Sequence, residues 1–211
     1  MTNEEINKLV EKYFRAEGYK FPTDFEHRLD PNSSAILYSL IRHFKPKTCV
    51  EIGSWYGGST CLIMTALLKN KNDFTFISSE RENDLRETTT RNVFNNCQIT
   101  PIMVGDITKS LDFMPSKIDF LFVDTNHDRE TTEWIVENLW PRLVPGALYT
   151  MHDWAVKEVE GKLVGKGNEG TGGTPETEFL MELHRQGKFP FEKIYWTREY
   201  GPEELAIWRR K

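Results

Sequence analysis

Residues 48–60 read TCVEIGSWYGGST, a short run of β-formers, then a glycine-containing turn, then the start of a helical pattern. An apolar run that closes on such a turn marks a strand-to-helix junction. Gly53 lets the backbone approach a ligand closely, while Gly57 and Gly58 suit positive φ where the chain enters a helix whose first N–H groups point outward. A junction of this kind holds a carboxylate or a phosphate. Its spacing departs from GxGxxG, and GxxxxGK(S/T) is absent, so neither a nicotinamide dinucleotide nor ATP has its usual motif.

Outward from the turn, strands and helices alternate. Downstream come a helix through CLIMTALL, the strand FTFIS, a polar helix from Asn83 to Asn95, and the strands QITPIMV and IDFLFVD. A helix near Thr131 to Leu139 and the strand ALYTM follow. Short apolar strands separated by helices predict right-handed crossovers and a parallel sheet covered on both faces, which makes the fold class doubly wound α/β. Upstream, Thr2 and Glu5 form a capping-box pattern ahead of Ile6, Leu9, Val10, Tyr13 and Phe14 at helical spacing. This amphipathic helix opens a helical cap over residues 1–30 and is suited to a lid or the arm of a homodimer. Asp30-Pro31 then reads as an N-cap with proline at the first helical position, followed by the apolar face Ile36, Leu37, Leu40, Ile41 and Phe44 and a stop at Lys45-Pro46.

Towards the C-terminus the rhythm breaks over residues 155–174, where KLVGKGNEGTGGT predicts a mobile loop fit to close over an active site. Thr174-Pro175 starts another helix through Phe179, Leu180 and Leu183. The runs FEKIYWT and ELAIWRR flank Gly201-Pro202 as an antiparallel hairpin. With 211 residues, 38% hydrophobic and 28% charged, residues 1–211 are expected to make one domain. The net charge of −5, with basic residues dispersed, argues against a nucleic-acid partner. No apolar run approaches the roughly 20 residues of a membrane span, and the acidic start is unlike a signal peptide, so the expected location is cytoplasmic, away from membranes. Cys49, Cys61 and Cys97 show no CxxC spacing and read as separate buried thiols.

In open α/β sheets ligands bind beyond the carboxyl ends of the strands. Glu80, just past FTFIS, is placed to accept both ribose hydroxyls of a nucleoside, or else is a solvated loop residue. Asp106 in VGDITKSL is placed to meet an adenine amino group, or else is an N-cap. Asp124 and Asp153 end neighbouring strands and should face one cleft, where two carboxylates with Asn126 or His152 and water suit a hard cation such as magnesium. The imidazole of His152 better suits zinc, iron or nickel, and a His-Asp pair also works without metal as base and orienter. His127 is the other candidate base. Trp55, Tyr56 and Trp154 lie near the cleft, available for stacking or for plain packing.

Together these residues resemble class I S-adenosylmethionine-dependent methyltransferases, in particular the small-molecule O-methyltransferases that act on macrolide and aminocoumarin sugars, over about Ser34 to Trp154. VEIGSWYGGST is similar to that group's first motif, FLFVDTNHDRETTEWIVENLWPRLVPGALYTMHDW to its segment from fourth to fifth strand, and TGGTPETEFL to its acceptor-side loop and helix. The resemblance implies a mostly parallel seven-stranded, Rossmann-like sheet with an antiparallel C-terminal hairpin. It also implies S-adenosylmethionine as cofactor and a small hydroxylated molecule as acceptor. Glu51, Gly53 and Ser59 would hold the methionine part, with Ser54, Tyr56 and Gly57 of the same turn in contact. Glu80 would hold the ribose, and Asp106 with Ile107 the adenine, Gly105 keeping that loop close. Asp124, His127 and His152 would serve catalysis, and Asp124, His152 and Asp153 would ligate magnesium or another divalent metal. Metal-using relatives often carry an acidic residue where this chain has His152. That departure keeps two alternatives open, a cofactor-binding protein without transferase activity and a metal-dependent hydroxylase-like relative.

Overall fold

The computed structural model describes residues 1–20, 29–153, 156–159, 162–165, 174–196 and 205–211. The chain opens with α1 (Asn3–Leu9), whose capping box is complete: the Thr2 hydroxyl accepts from the Glu5 N–H at 3.2 Å and the Glu5 carboxylate accepts from the Thr2 N–H at 2.6 Å. One π-helical turn, Val10–Arg15, continues it. Glu17 then docks this cap on the domain. Its carboxylate accepts from the Tyr38 hydroxyl at 2.6 Å and from Arg42 at 2.7 Å, both on α2 (Pro31–Phe44), and lies 3.3 Å from Lys69 at the end of α3 (Gly58–Asn70). The rest of the cap, residues 21–28, lies outside the described residues.

Strands β1 (Thr48–Ile52), β2 (Thr75–Ser79), β3 (Ile102–Val104), β4 (Ile118–Val123) and β5 (Leu143–Met151) pair in parallel. β6 (Val156–Val159) and β7 (Lys162–Gly165) form a separate two-stranded ribbon. β8 (Phe191–Trp196) and β9 (Ala206–Arg210) complete a seven-stranded sheet of order β3-β2-β1-β4-β5-β9-β8, in which β9 runs opposite to the other six strands. The doubly wound sheet with its C-terminal hairpin is the architecture that the alternation of strands and helices predicted.

Strand residues alternate between two faces, and the core divides accordingly. Cys49, Phe120, Phe122, Leu148 and Ile207 face a core shared with α2, α3 and Val93 of α4 (Asn83–Cys97). Val50, Ile52, Leu121, Val123, Tyr149 and Trp208 face the opposite core, with Ile135 of α5 (Arg129–Asn138) and Leu180 of α6 (Pro175–Arg185). The hairpin is held there by rings: Tyr149 stacks on Trp208 with centroids 5.2 Å apart, and Trp140 meets Phe191 edge-on at 4.8 Å. Such pairs add about 0.5–1.5 kcal/mol each beyond burial.

Two elements differ from the sequence expectation. The strand drawn through QITPIMV shrinks to Ile102–Val104, because Pro101 has no N–H to donate and the strand lies at the sheet edge. Within residues 155–174, expected to be irregular, the ribbon of β6 and β7 is formed. The other residues of that segment up to Gly173, Trp154, and the Gly201-Pro202 connection lie outside the described residues.

Candidate active site

Parallel strands carry their hydrogen bonding one residue past their ends. The Gly53 N–H donates to the Ser79 carbonyl at 2.9 Å, Glu80 to Val104 at 3.1 Å, Asp124 to Ile52 at 2.9 Å and His152 to Val123 at 3.0 Å. These four residues therefore leave the sheet at one level, around the point between β1 and β4 where the strand order reverses. A cleft of about 430 Å³ opens there. Gly53, Trp55, Glu80, Asp106, Ile107, Asp124, Asn126, His127 and Asp153 line it, while Glu51, Ser54, Tyr56, Gly57, Ser59 and His152 do not.

Glu51 is fully buried because the strand alternation turns it, like Cys49, towards α3. Its carboxylate accepts from Ser59 at 2.6 Å and Thr60 at 2.7 Å in the first turn of α3, and from Ser78 of β2 at 2.6 Å. Instead of facing a ligand, Glu51 and Ser59 bind each other and seat the helix behind the turn. Burial pushes the Glu51 carboxyl up to about 7, the three hydroxyls oppose that, and the charge of Asp124 adds to it. Since this folded value lies above the ordinary 4.5, protonation of Glu51 favours the fold; that contribution is complete below pH 4.5 and is lost as the pH rises through about 7. Glu51→Gln is expected to flatten the fall in Tm between about pH 5 and about pH 8 that this group causes in the parent. Thermal melts of the two proteins across that range check it, and parallel curves would refute it.

The turn itself is shaped by backbone. Gly53 has φ of 90°, and a Cβ there would lie 1.8 Å from the Asp124 carbonyl oxygen. Gly57, with φ of 92°, caps α3. Between them Trp55 has φ of 47°; its carbonyl accepts from the Thr89 hydroxyl of α4, and its N–H donates to Glu80 at 2.9 Å. Glu80 accepts from the Glu82 N–H at 3.1 Å as well, so the carboxylate is held in place with lone pairs to spare for ligand hydroxyls. Asp106 caps a 3-10 turn, accepting from the Thr108 N–H at 3.0 Å and its hydroxyl at 2.7 Å, bonds that lower its pKa. It is an N-cap and it also lines the cleft.

Around Asp124 and Asp153 the structure gathers charge that the sequence hides. His152 is buried, and its Nδ1 lies 3.5 Å from Asp124 and 3.4 Å from Asp153. Burial opposes its charge, but the two carboxylates hold the imidazole above its ordinary range. His127 sits between Asp153, 3.3 Å from Nε2, and Glu176, 2.8 Å from Nδ1. Asp153 and then Glu176 raise its pKa to about 10 against burial. Both His127 nitrogens thus face carboxylates, and in the protonated ring each carries a hydrogen towards one of them. His127 and Asp153 have φ of 57° and 54°, in the left-handed region.

Glu176 escaped the sequence reading as a functional residue. It is fully buried in the first turn of α6, and its N–H donates to the His127 carbonyl at 3.4 Å while its carboxylate takes the ring. Helix α6 is fastened to the cleft by these two bonds. The available signal was an acidic residue placed just after the Thr174-Pro175 cap, beside apolar helix positions. The donor atoms of Asp124, His152 and Asp153 lie within 4.8 Å of one another, a set that suits a divalent cation.

Residues 50–154 match a family model described as a methyltransferase domain. No curated protein matches the chain by sequence. Among solved structures, the O-methyltransferase from Bacillus cereus in complex with SAH is similar over 100% of this chain and 92% of its own, with TM-score 0.66 and 14% identity. TomG, the O-methyltransferase from Streptomyces achromogenes involved in tomaymycin synthesis, in complex with SAM, is similar over 100% and 92%, with TM-score 0.63 and 15% identity. The SAH-bound methyltransferase PaMTH1 of Podospora anserina is similar over 100% and 97%, with TM-score 0.63 and 15% identity. At these identities the likeness is one of fold.

Proposed function

Residues 50–154 match the methyltransferase-domain family model, and from that match we propose that the chain transfers the methyl group of S-adenosylmethionine to a hydroxyl of a small molecule. The observation that carries this reading is one cleft lined by Gly53, Glu80 and Asp106 together with Asp124 and Asp153. Glu80 would accept the ribose hydroxyls, and Asp106 with Ile107 would meet the adenine. The lining is rich in carboxylates, Glu80, Glu82, Asp106, Asp124 and Asp153 against Arg81 and His127, which favours a sulfonium cation over a pyrophosphate. Neighbours of the same fold solved with SAM or SAH support the cofactor.

Methyl transfer from a sulfonium is an in-line displacement, so the enzyme's tasks are alignment and removal of the acceptor proton. With His127 engaged on both sides, we assign Asp124 to the acceptor proton. Asp153, fixed by His127 and His152, would orient the acceptor. A divalent cation, magnesium or another, held by Asp124, His152 and Asp153 would supply a lowered hydroxyl pKa.

Calorimetry with S-adenosylhomocysteine tests the cofactor assignment, and absence of binding to the parent chain would sink it. Glu80→Ala is expected to weaken that binding roughly 10- to 100-fold, the loss of about 1.5–3 kcal/mol of charge-assisted hydrogen bonding. An unchanged affinity would remove Glu80 from the site. Mass spectrometry of a panel of hydroxylated acceptors, with and without chelator, then reads transfer and metal dependence separately.

A further inference from the structure

Cys61 and Cys97 lie 36 residues apart in sequence, yet their sulfurs are 3.6 Å apart, one near the start of α3 and the other the last residue of α4. The expectation of separate thiols is corrected by this contact. Cys61 is buried and Cys97 is partly exposed. The sulfurs already touch, so a disulfide needs them to close by about 1.5 Å to the usual bond length of about 2.05 Å.

We propose that Cys61 and Cys97 are a reversible redox pair, oxidised by peroxide to an intramolecular disulfide that ties α3 to the end of α4. The inference is independent of the methyl-transfer reading. The more accessible sulfur, Cys97, is the attacking group. The Cys61 S–H, 3.6 Å away, draws its pKa down to about 7, while Cys61 itself is held high. The Thr65 hydroxyl, also 3.6 Å from Cys97, adds to that effect, but its hydrogen is shared with the Cys61 carbonyl at 2.8 Å, so the second thiol contributes most.

In the first step the Cys97 thiolate attacks one peroxide oxygen, the O–O bond breaks, and a sulfenic acid and hydroxide result. In the second, Cys61 gives up its proton and its sulfur attacks the sulfenic sulfur, expelling the hydroxyl, which leaves as water with that proton. Two thiols and one hydrogen peroxide give one disulfide and two waters, and a dithiol reverses the change. Cys49, fully buried in β1 with its thiol pushed well up by burial, stands outside the chemistry.

The place of the cross-link gives it consequence. Helix α3 begins at the glycine turn, and α4 carries Thr89, which bonds the Trp55 carbonyl. A link between these two helices braces the wall against which the turn rests.

The test uses the full chain and hydrogen peroxide. Titratable thiols under denaturing conditions should fall from three to one, and non-reducing peptide mapping should show Cys61 joined to Cys97 within one chain. Dithiothreitol should restore all three. In Cys61→Ala the reaction should stop at the sulfenic acid, which dimedone traps on Cys97. In Cys97→Ser, Cys61 should stay reduced at the same peroxide dose. Three thiols remaining in the parent, over-oxidation of Cys97 with Cys61 still free, or a link only between chains would overturn the proposal. The parent result decides by itself if Cys61→Ala does not fold.

Discussion

Gly53→Ala is expected to lower the unfolding free energy by about 4 kcal/mol and to abolish measurable binding of S-adenosylhomocysteine. Two effects add. A φ of 90° is unfavourable for any residue with a Cβ, on the order of 1–3 kcal/mol. The new methyl would also lie 1.8 Å from the backbone oxygen of Asp124, which cannot turn aside as a side chain does, so the β1 or β4 end must shift at a further cost of roughly 1–3 kcal/mol. For a chain of this size each kcal/mol is worth about 2–4 °C, so the Tm should drop by roughly 8–16 °C. Gly57→Ala is a useful contrast. It shares the positive φ, but its Cβ would meet the Thr89 methyl at 3.0 Å and the Thr89 Cα at 3.4 Å, contacts far less severe than 1.8 Å to a carbonyl oxygen. A Gly53→Ala protein that melts with the parent would show that the close approach to Asp124 is wrong.

Glu176→Ala is expected to be the second most damaging change, at about 3 kcal/mol. Removing one partner of a buried ion pair strands the other, at a typical cost of 3–5 kcal/mol. The lower figure applies because His127 keeps Asp153 and retains some exposure to solvent. Glu176→Gln, which still offers an oxygen to His127 Nδ1, should fall between. Chemical denaturation measures the stability, and calorimetry should find S-adenosylhomocysteine affinity little changed, since Glu176 is not among the residues that line the cleft with Glu80 and Asp106. With an acceptor in hand, the turnover rate should fall more than the cofactor affinity. Equal stability of the parent and the alanine variant would remove the ion pair as a fastening of α6.

The architecture was legible because strands buried on both faces leave continuous apolar runs, as in IDFLFVD, and because turn chemistry punctuated them. The carboxylates at strand ends were legible for the same reason: once TCVEI, FTFIS and IDFLFVD are strands, Glu80 and Asp124 must leave the sheet on one side. Glu51 shows where strand geometry says more than the motif does. Its neighbours Val50 and Ile52 face one core, so period-two alternation sends Glu51 to the other, against α3. The pairings of His127 with Glu176 and of Cys61 with Cys97 depend on how helices pack across long stretches of chain, and no local pattern encodes that distance. The short edge strand was signalled by Pro101, whose missing N–H weighs more than the apolar residues beside it.

Trp55, His127 and Asp153 stand on three different loops around the cleft mouth, and each holds a left-handed backbone without being glycine. Each such residue costs on the order of 1–3 kcal/mol and persists only where its surroundings over-determine it. The hydrogen bonds of Trp55 to Glu80 and of His127 to Glu176, with the Asp153 carboxylate 3.3 Å from the His127 ring, are those surroundings. Their ordering is completed while the chain folds, so a ligand arriving at these three residues meets a preorganised rim and gives up little of its binding free energy to immobilise it.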